Sequence, residues 1–187
     1  MTLLALFVVD GDRLVIKNSA FDLSSYNFLI RSRIKDALKT FALQISSNIE
    51  TTELQEIIHE MNDTIYKYFA KINTQNNQNI ICLAVIQDYY PPDLMSYILD
   101  LISKDDIYEN NSNLSNILQE YKDYKKHDYL ELINNEIAET KIVLTRTLDA
   151  VINRGESLTG LSENAEKLEV ESRRLFKTAK KQNKKCC

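Results

Sequence analysis

The sequence predicts an α+β domain, an antiparallel sheet between helices, followed by one long coiled-coil helix. Three observations carry this reading. Residues 1–124 run strand, strand, helix, strand or strands, helix, helix, an order that packs as a sheet covered by helices. Residues 130–182 place apolar or small side chains in alternating steps of three and four, the mark of a coiled-coil seam. Only three glycines and two prolines occur in 187 residues, which argues against a loop-rich or collagenous chain.

The elements follow in order. Thr2–Val9 and Arg13–Asn18 are strand-like, and Asp10-Gly11-Asp12 between them suits a hairpin turn. Asp22 to Ser25 offers a helix start. Phe28, Ile34, Leu38, Phe41, Leu43 and Ile45 then recur at helical spacing to about Ser47. Residues 51–62 fit an edge strand or a loop. Thr64–Ile72 alternates as a strand, Thr74–Asn79 is a polar turn, and Ile80–Gln87 is a buried strand. Cys82 in that last run is expected to be a buried, reduced thiol. Pro91 and Pro92 open a helix with the apolar face Leu94, Ile98, Leu101 and Ile102. Asn110–Asn113 breaks it, Leu114–Tyr124 is a third helix, and Lys125–Asp128 is a linker. The coiled coil begins near Tyr129.

Composition excludes several classes. The N-terminus is apolar but lacks a basic leader and a small-residue cleavage site, so it reads as a strand rather than a signal peptide. No run reaches the roughly 18 apolar residues that a membrane helix needs. The three cysteines form neither a disulfide framework nor a zinc spacing, which suits a reducing cytosol. His59 lacks a second histidine four residues on, and His127 lies in the linker, so no zinc helix is present. Asp10-Gly11-Asp12 is too short for a calcium loop. Gly11, Gly155 and Gly160 cannot build a phosphate-cradling loop, which removes a small GTPase. No catalytic constellation remains, so the chain is not expected to be an enzyme and no cofactor or metal is expected.

Charge is uneven. Arg173 to Lys185 holds seven basic residues and no acid, leaving −11 on the rest of a chain whose net charge is −4. A solvated helix end would account for this. With Cys186 and Cys187 beyond it, attraction to anionic headgroups is the alternative, at about 1 kcal/mol per cation near the surface. Nucleic acid is not an expected partner, because the domain is acidic and only Phe176 interleaves the tail.

The seam runs Leu130, Ile133, Ile137, Thr140, Leu144, Thr147 and Val151, then Arg154, then Leu158, Leu161, Ala165, Leu168, Ser172, Leu175, Ala179 and Gln182. The plain reading is a homodimeric coil or a helix packed on its own domain. Thr140, Thr147, Ser172 and Gln182 are poor choices for a tight zipper. Gly155 and Gly160 each cost about 1 kcal/mol of helix propensity. A buried, unpaired Arg154 would be costly, but partner helices could supply acceptors to its five donors. The isolated segment 129–185 is therefore expected to be largely unfolded and to gain helix on its partners.

The central arginine, the run Asn153-Arg154-Gly155-Glu156-Ser157-Leu158 and the ending Phe176–Asn183 resemble an R-SNARE of the synaptobrevin-like v-SNARE family. More narrowly, they resemble the lipid-anchored longin branch of Golgi and endosomal traffic, which has paired cysteines instead of a membrane span. Asp22-Leu23-Ser24-Ser25-Tyr26 and Arg31-Ser32 resemble that branch's longin domain. The resemblance implies a longin (profilin-like) domain over 1–124, with a five-stranded sheet, one helix on one face and two on the other. A linker over 125–128, a SNARE motif over 129–183 and a lipidated tail over 184–187 would follow. The implied partners are three glutamine-bearing SNARE helices in a parallel four-helix bundle, Arg154 facing three glutamines, together with disassembly chaperones. The implied site of action is the cytosolic face of Golgi, vesicle and endosomal or vacuolar membranes, with cycling to the cytosol. A fold-back of the longin domain on the SNARE segment is also implied. Phe41, at or next to the outer apolar stripe of the helix over 25–47, is the candidate contact.

The family pattern ends in two cysteines and three more residues, the second cysteine prenylated and the first palmitoylated. Here Cys187 is last. Three readings stay open: the sequence stops short of the native terminus, the terminal Cys-Cys pair is doubly geranylgeranylated, or lipidation is lost. Both lipidated cases place two chains on Cys186 and Cys187, as stable anchoring requires. The rival to a fusion protein is a longin-type adaptor or trafficking regulator that keeps a coiled-coil arm without zippering.

Overall fold

The computed structural model describes residues 3–49, 51–61, 64–75, 78–104, 111–126 and 144–148. Strands are β1 (Leu3–Asp10), β2 (Val15–Phe21), β3 (Gln55–Met61), β4 (Thr64–Gln75), β5 (Gln78–Ile86) and β6 (Leu144–Thr147). Helices are α1 (Arg31–Ser46), α2 (Pro92–Ile102) and α3 (Asn111–Glu120). The sheet order is β2-β1-β5-β4-β3-β6. Its first five strands pair antiparallel, as expected of the α+β domain, while β6 is an added strand parallel to β3.

Two apolar layers hold the sheet. In β5, Ile81, Leu83 and Val85 face the α1 layer, while Ile80, Cys82, Ala84 and Ile86 face α2 and α3. This is the period-two alternation of a strand buried on both faces. In β1 a register shift between Leu3 and Ala5 places Leu4 and Ala5 together on the α1 side, as a bulge does. Helix α1 answers with Ile34, Ala37, Leu38, Phe41, Ala42 and Ile45, one helical stripe, all buried. On the other face α2 contributes Leu94, Met95, Ile98, Leu99 and Ile102, and α3 contributes Leu114, Ile117 and Leu118. Pro91 caps α2 and Pro92 fills its first turn, as anticipated. Cys82 is free and buried, and burial pushes its thiol well up, so it is not a ready nucleophile.

Long-range polar contacts tie the loops. The Tyr90 hydroxyl donates to the Tyr121 carbonyl at 2.8 Å, joining the start of α2 to the end of α3. Lys122 forms an ion pair with the buried Asp22. Burial alone would raise the Asp22 carboxyl, but that ion pair and the Ser24 hydrogen bonds bring it below its usual range.

Several boundaries differ from the sequence reading. Asp22 to Ser25 does not start α1: the Asp22 carboxylate accepts from the Ser24 amide at 3.1 Å in a local turn. A short 3-10 turn, Phe28–Ile30, precedes the helix, and Phe28 points to solvent. The ambiguous stretch 51–62 contains β3, which β6 makes an interior strand. The Asp-Gly turn is longer than expected. Residues Gly11–Leu14 form it, and Leu14, not glycine, takes the left-handed conformation at φ 53°. Asp10 holds this loop by accepting from the Asp12 and Arg13 amides, both at 3.1 Å. The Arg13 bond leads in keeping its carboxyl below the usual range.

Gly11 is needed for close approach. Its amide donates to the Asn79 carbonyl at 2.7 Å, and an added Cβ would lie 2.8 Å from that same oxygen. Gly11→Ala is therefore expected to destabilise the domain by about 1–3 kcal/mol, the range for overpacking. Chemical denaturation of the full chain would measure it, and an unchanged midpoint would mean the hairpin simply moves aside.

Candidate functional site

The sheet edge at β3 and β6 joins the two halves of the sequence. Without β6, β3 would present a row of unpaired backbone groups, an exposed edge. Residues from the seam cover it, with Leu144 opposite Gln55, Thr145 opposite Glu56, Arg146 opposite Ile57 and Thr147 opposite Ile58. Immediately after the strand, Leu148 is 2% exposed and joins the α1-side core. Ile57 and Phe41 belong to the same layer, and the Phe41 ring lies 5.2 Å from His59 and 6.5 Å from Tyr68. Beside them Glu56 pairs with Lys67 at 2.6 Å, linking β3 to β4.

This edge gives part of the segment 129–183, which is expected to become helical on its partners, a different conformation in the unpartnered chain. Leu144–Thr147 is a strand here, and Thr147, placed on the seam by its spacing, is exposed. The physical reason is local composition. Thr140, Ile142, Val143, Thr145 and Thr147 are β-branched, favoured where a pleated edge needs a partner. That run was the available signal for β6, and Leu148, off the seam, is the residue that spacing alone overlooked.

Phe41 also sits differently. It is 4% exposed and faces the sheet, not an outer stripe. It therefore shares a core with Leu148 without lying on the surface of α1. The other seam positions, Leu130, Ile133, Ile137, Thr140, Val151, Arg154, Leu158, Leu161, Ala165, Leu168, Ser172, Leu175, Ala179 and Gln182, lie outside the described residues, as do Cys186 and Cys187.

The arrangement is a mechanical one. A strand rises about 3.3 Å per residue and a helix 1.5 Å, so Leu144–Thr147 cannot serve β6 and a helical bundle at once. Burial of Leu148 is worth about 2–3 kcal/mol and each ladder hydrogen bond about 1 kcal/mol net. A latch of that size is firm but can be displaced by a larger interface. Among the described residues no cluster fit to hold a metal occurs, and no helix is long and apolar enough to cross a membrane.

Comparison with known proteins agrees with this division. Residues 129–187 match the synaptobrevin family model. A VAMP-like protein YKT61 of Arabidopsis thaliana is 28% identical, over 92% of this chain and 89% of its own length. The synaptobrevin homolog YKT6 of Saccharomyces cerevisiae is also 28% identical, over 98% of this chain and 96% of its own. The synaptobrevin homolog ykt6 of Schizosaccharomyces pombe is 27% identical, over 90% and 88%. The chain thus joins an N-terminal longin-like fold to a C-terminal segment that matches the synaptobrevin model and carries the arginine-centred seam, and it is similar along most of its length to synaptobrevin homologs and VAMP-like proteins.

Proposed function

We propose that this chain drives membrane fusion by zippering residues 130–182 with three glutamine-bearing SNARE helices, and that β6 holds it closed beforehand. The seam supports this reading: fifteen apolar, small or weakly polar layers flank one arginine. Three amide oxygens sealed from water would satisfy the Arg154 guanidinium, and one polar layer fixes register. The work comes from burial of the stripe, so no catalysis is required. Golgi, endosomal and vacuolar membranes are the proposed setting, with disassembly chaperones resetting the complex. Mixing the full chain with candidate glutamine-SNARE helices tests the reading. An SDS-resistant, thermally stable complex is expected. Failure with every candidate set would favour an adaptor that keeps the arm without zippering.

Anchoring is assigned to Cys186 and Cys187, with the basic tail assisting. Seven cations supply an attraction that salt screens within about 8–10 Å. A buried lipid chain gains about 0.8 kcal/mol per methylene and is not screened. Cys186→Ser with Cys187→Ser should therefore release the protein to the cytosol at any ionic strength, while zippering in detergent persists. Neutralising Lys184 and Lys185 should give only a partial, salt-sensitive loss. Retention of the double serine variant on high-salt-washed membranes would move the anchor elsewhere.

A further inference from the structure

The connection from β2 to α1 ends in an outward apolar step that the fold does not use. Phe28 and Leu29 are 74% and 70% exposed, the most exposed of the large hydrophobic side chains described. They sit on a braced turn. The Asn27 side chain accepts from the Leu29 amide at 3.0 Å. Arg31 donates through Nε to the Tyr26 carbonyl at 3.0 Å and through Nη2 to the Ser24 carbonyl at 3.1 Å. Tyr26 in turn is fixed by Gln87, whose Nε2 donates to its hydroxyl at 2.6 Å, and by the Tyr66 hydroxyl at 3.3 Å. Ile30, the next residue, turns into the core. The pair is thus held outward by its neighbours rather than left over from the core.

Charge along the tip segment itself has one sign, between Asp22 and Asp36 at its ends. From Leu23 to Lys35 there are three cations and no acid, in a chain of net charge −4, and Arg31, Arg33 and Lys35 are all exposed. Lys35 lies over the Phe21 ring, 4.9 Å from its centre, which restrains its ammonium. The topology adds a third point. Ile58 pairs with both Thr147 and Lys67, and Lys67 with Ile86, so β5 and β6 run the same way. The chain therefore leaves β6 at the end of the sheet where Gln87 holds Tyr26.

We propose that the Phe28–Leu29 tip is a membrane contact. Its two side chains enter the headgroup boundary of an anionic bilayer while Arg31, Arg33 and Lys35 meet lipid phosphates. A protruding pair on a turn suits a soft, planar acceptor, and a surrounding set of cations selects a negative one. The contact is separate from the cysteines and from zippering.

The chain contains no tryptophan, so Phe28→Trp installs a single reporter. The test uses the full chain with Cys186→Ser and Cys187→Ser, so that no lipid group contributes. Vesicles of phosphatidylcholine alone are compared with vesicles that also contain phosphatidylserine. The expected result is a blue shift and quenching by brominated acyl chains with the anionic vesicles only. Phe28→Ser with Leu29→Ser, both at exposed positions, should lower co-sedimentation about ten-fold with the basic tail intact, and Arg33→Glu should lower it several-fold. Emission that stays unmoved while the tail still sediments the protein would overturn the proposal. So would a shift that appears in buffer, at higher protein concentration or with SNARE helices, each of which would assign the tip to a protein surface. No partner helix is needed for the vesicle comparison, so its failure leaves the fusion reading standing.

Discussion

Leu168→Ala should weaken the assembled SNARE complex by about 2–5 kcal/mol, the usual range for truncating a buried leucine. Leu161→Ala should fall in the same range. Both residues occupy the seam C-terminal to Arg154, where the stripe is most leucine-rich. Glu156 lies two residues past the arginine and off the seam, so Glu156→Ala should be nearly neutral. Thermal melts of the complex with one fixed set of partner helices would measure all three. Equal losses at Leu161, Leu168 and Glu156 would show that the register is misassigned. The comparison is more informative than any single value, because side-chain truncation also changes helix propensity by a few tenths of a kcal/mol.

The second large effect is expected at the latch. Leu148→Asp puts a carboxylate into the α1-side core, where Leu148 is 2% exposed. An unpaired buried charge costs several kcal/mol, and about 3 kcal/mol already shifts a two-state equilibrium roughly 150-fold. The variant should relieve this cost by releasing β6. Amide exchange in β3 should then accelerate while α2 and β5 stay protected, and partner helices should bind faster. Phe41→Glu is the instructive contrast. Phe41 packs between α1 and the sheet beside His59 and Tyr68, so its replacement should destabilise the whole domain as well as open it. Unchanged exchange in β3 of Leu148→Asp would mean that the strand holds without its apolar plug.

Much of the domain was legible because its signals are local. The alternation through β5, the prolines at the start of α2 and the stripe of α1 each repeat within a dozen residues. Residues 51–62 stayed ambiguous because β3 carries Gln55, Glu56 and His59, polar residues that look unsuited to an interior strand. Their burial depends on distant partners: Lys67 for Glu56 and Phe41 for His59. The start of α1 was misplaced because Asp22, a good helix-capping residue, instead closes a local turn ahead of it, its carboxylate accepting from the Ser24 amide. The longest-range feature, β6, was hidden for a different reason. Its residues satisfy two patterns at once, a heptad step and a β-branched run, and only the uncovered edge of β3 decides between them.

The position of β6 along the seam has a consequence for timing. Four layers, Leu130, Ile133, Ile137 and Thr140, precede it, and zippering is proposed to begin there. A partner bundle advancing from that end reaches the strand after about four helical turns, before it has sealed Arg154. Each further residue must then be peeled from β3 one ladder position at a time, from Gln55 towards Ile58, until the plug at Leu148 comes free. Sequential peeling resists far less than pulling the whole strand at once, so a correctly aligned bundle passes and a poorly matched one stalls and falls back. The sheet edge would thus act as a proofreading step, letting the arginine layer close only for partners that already fit.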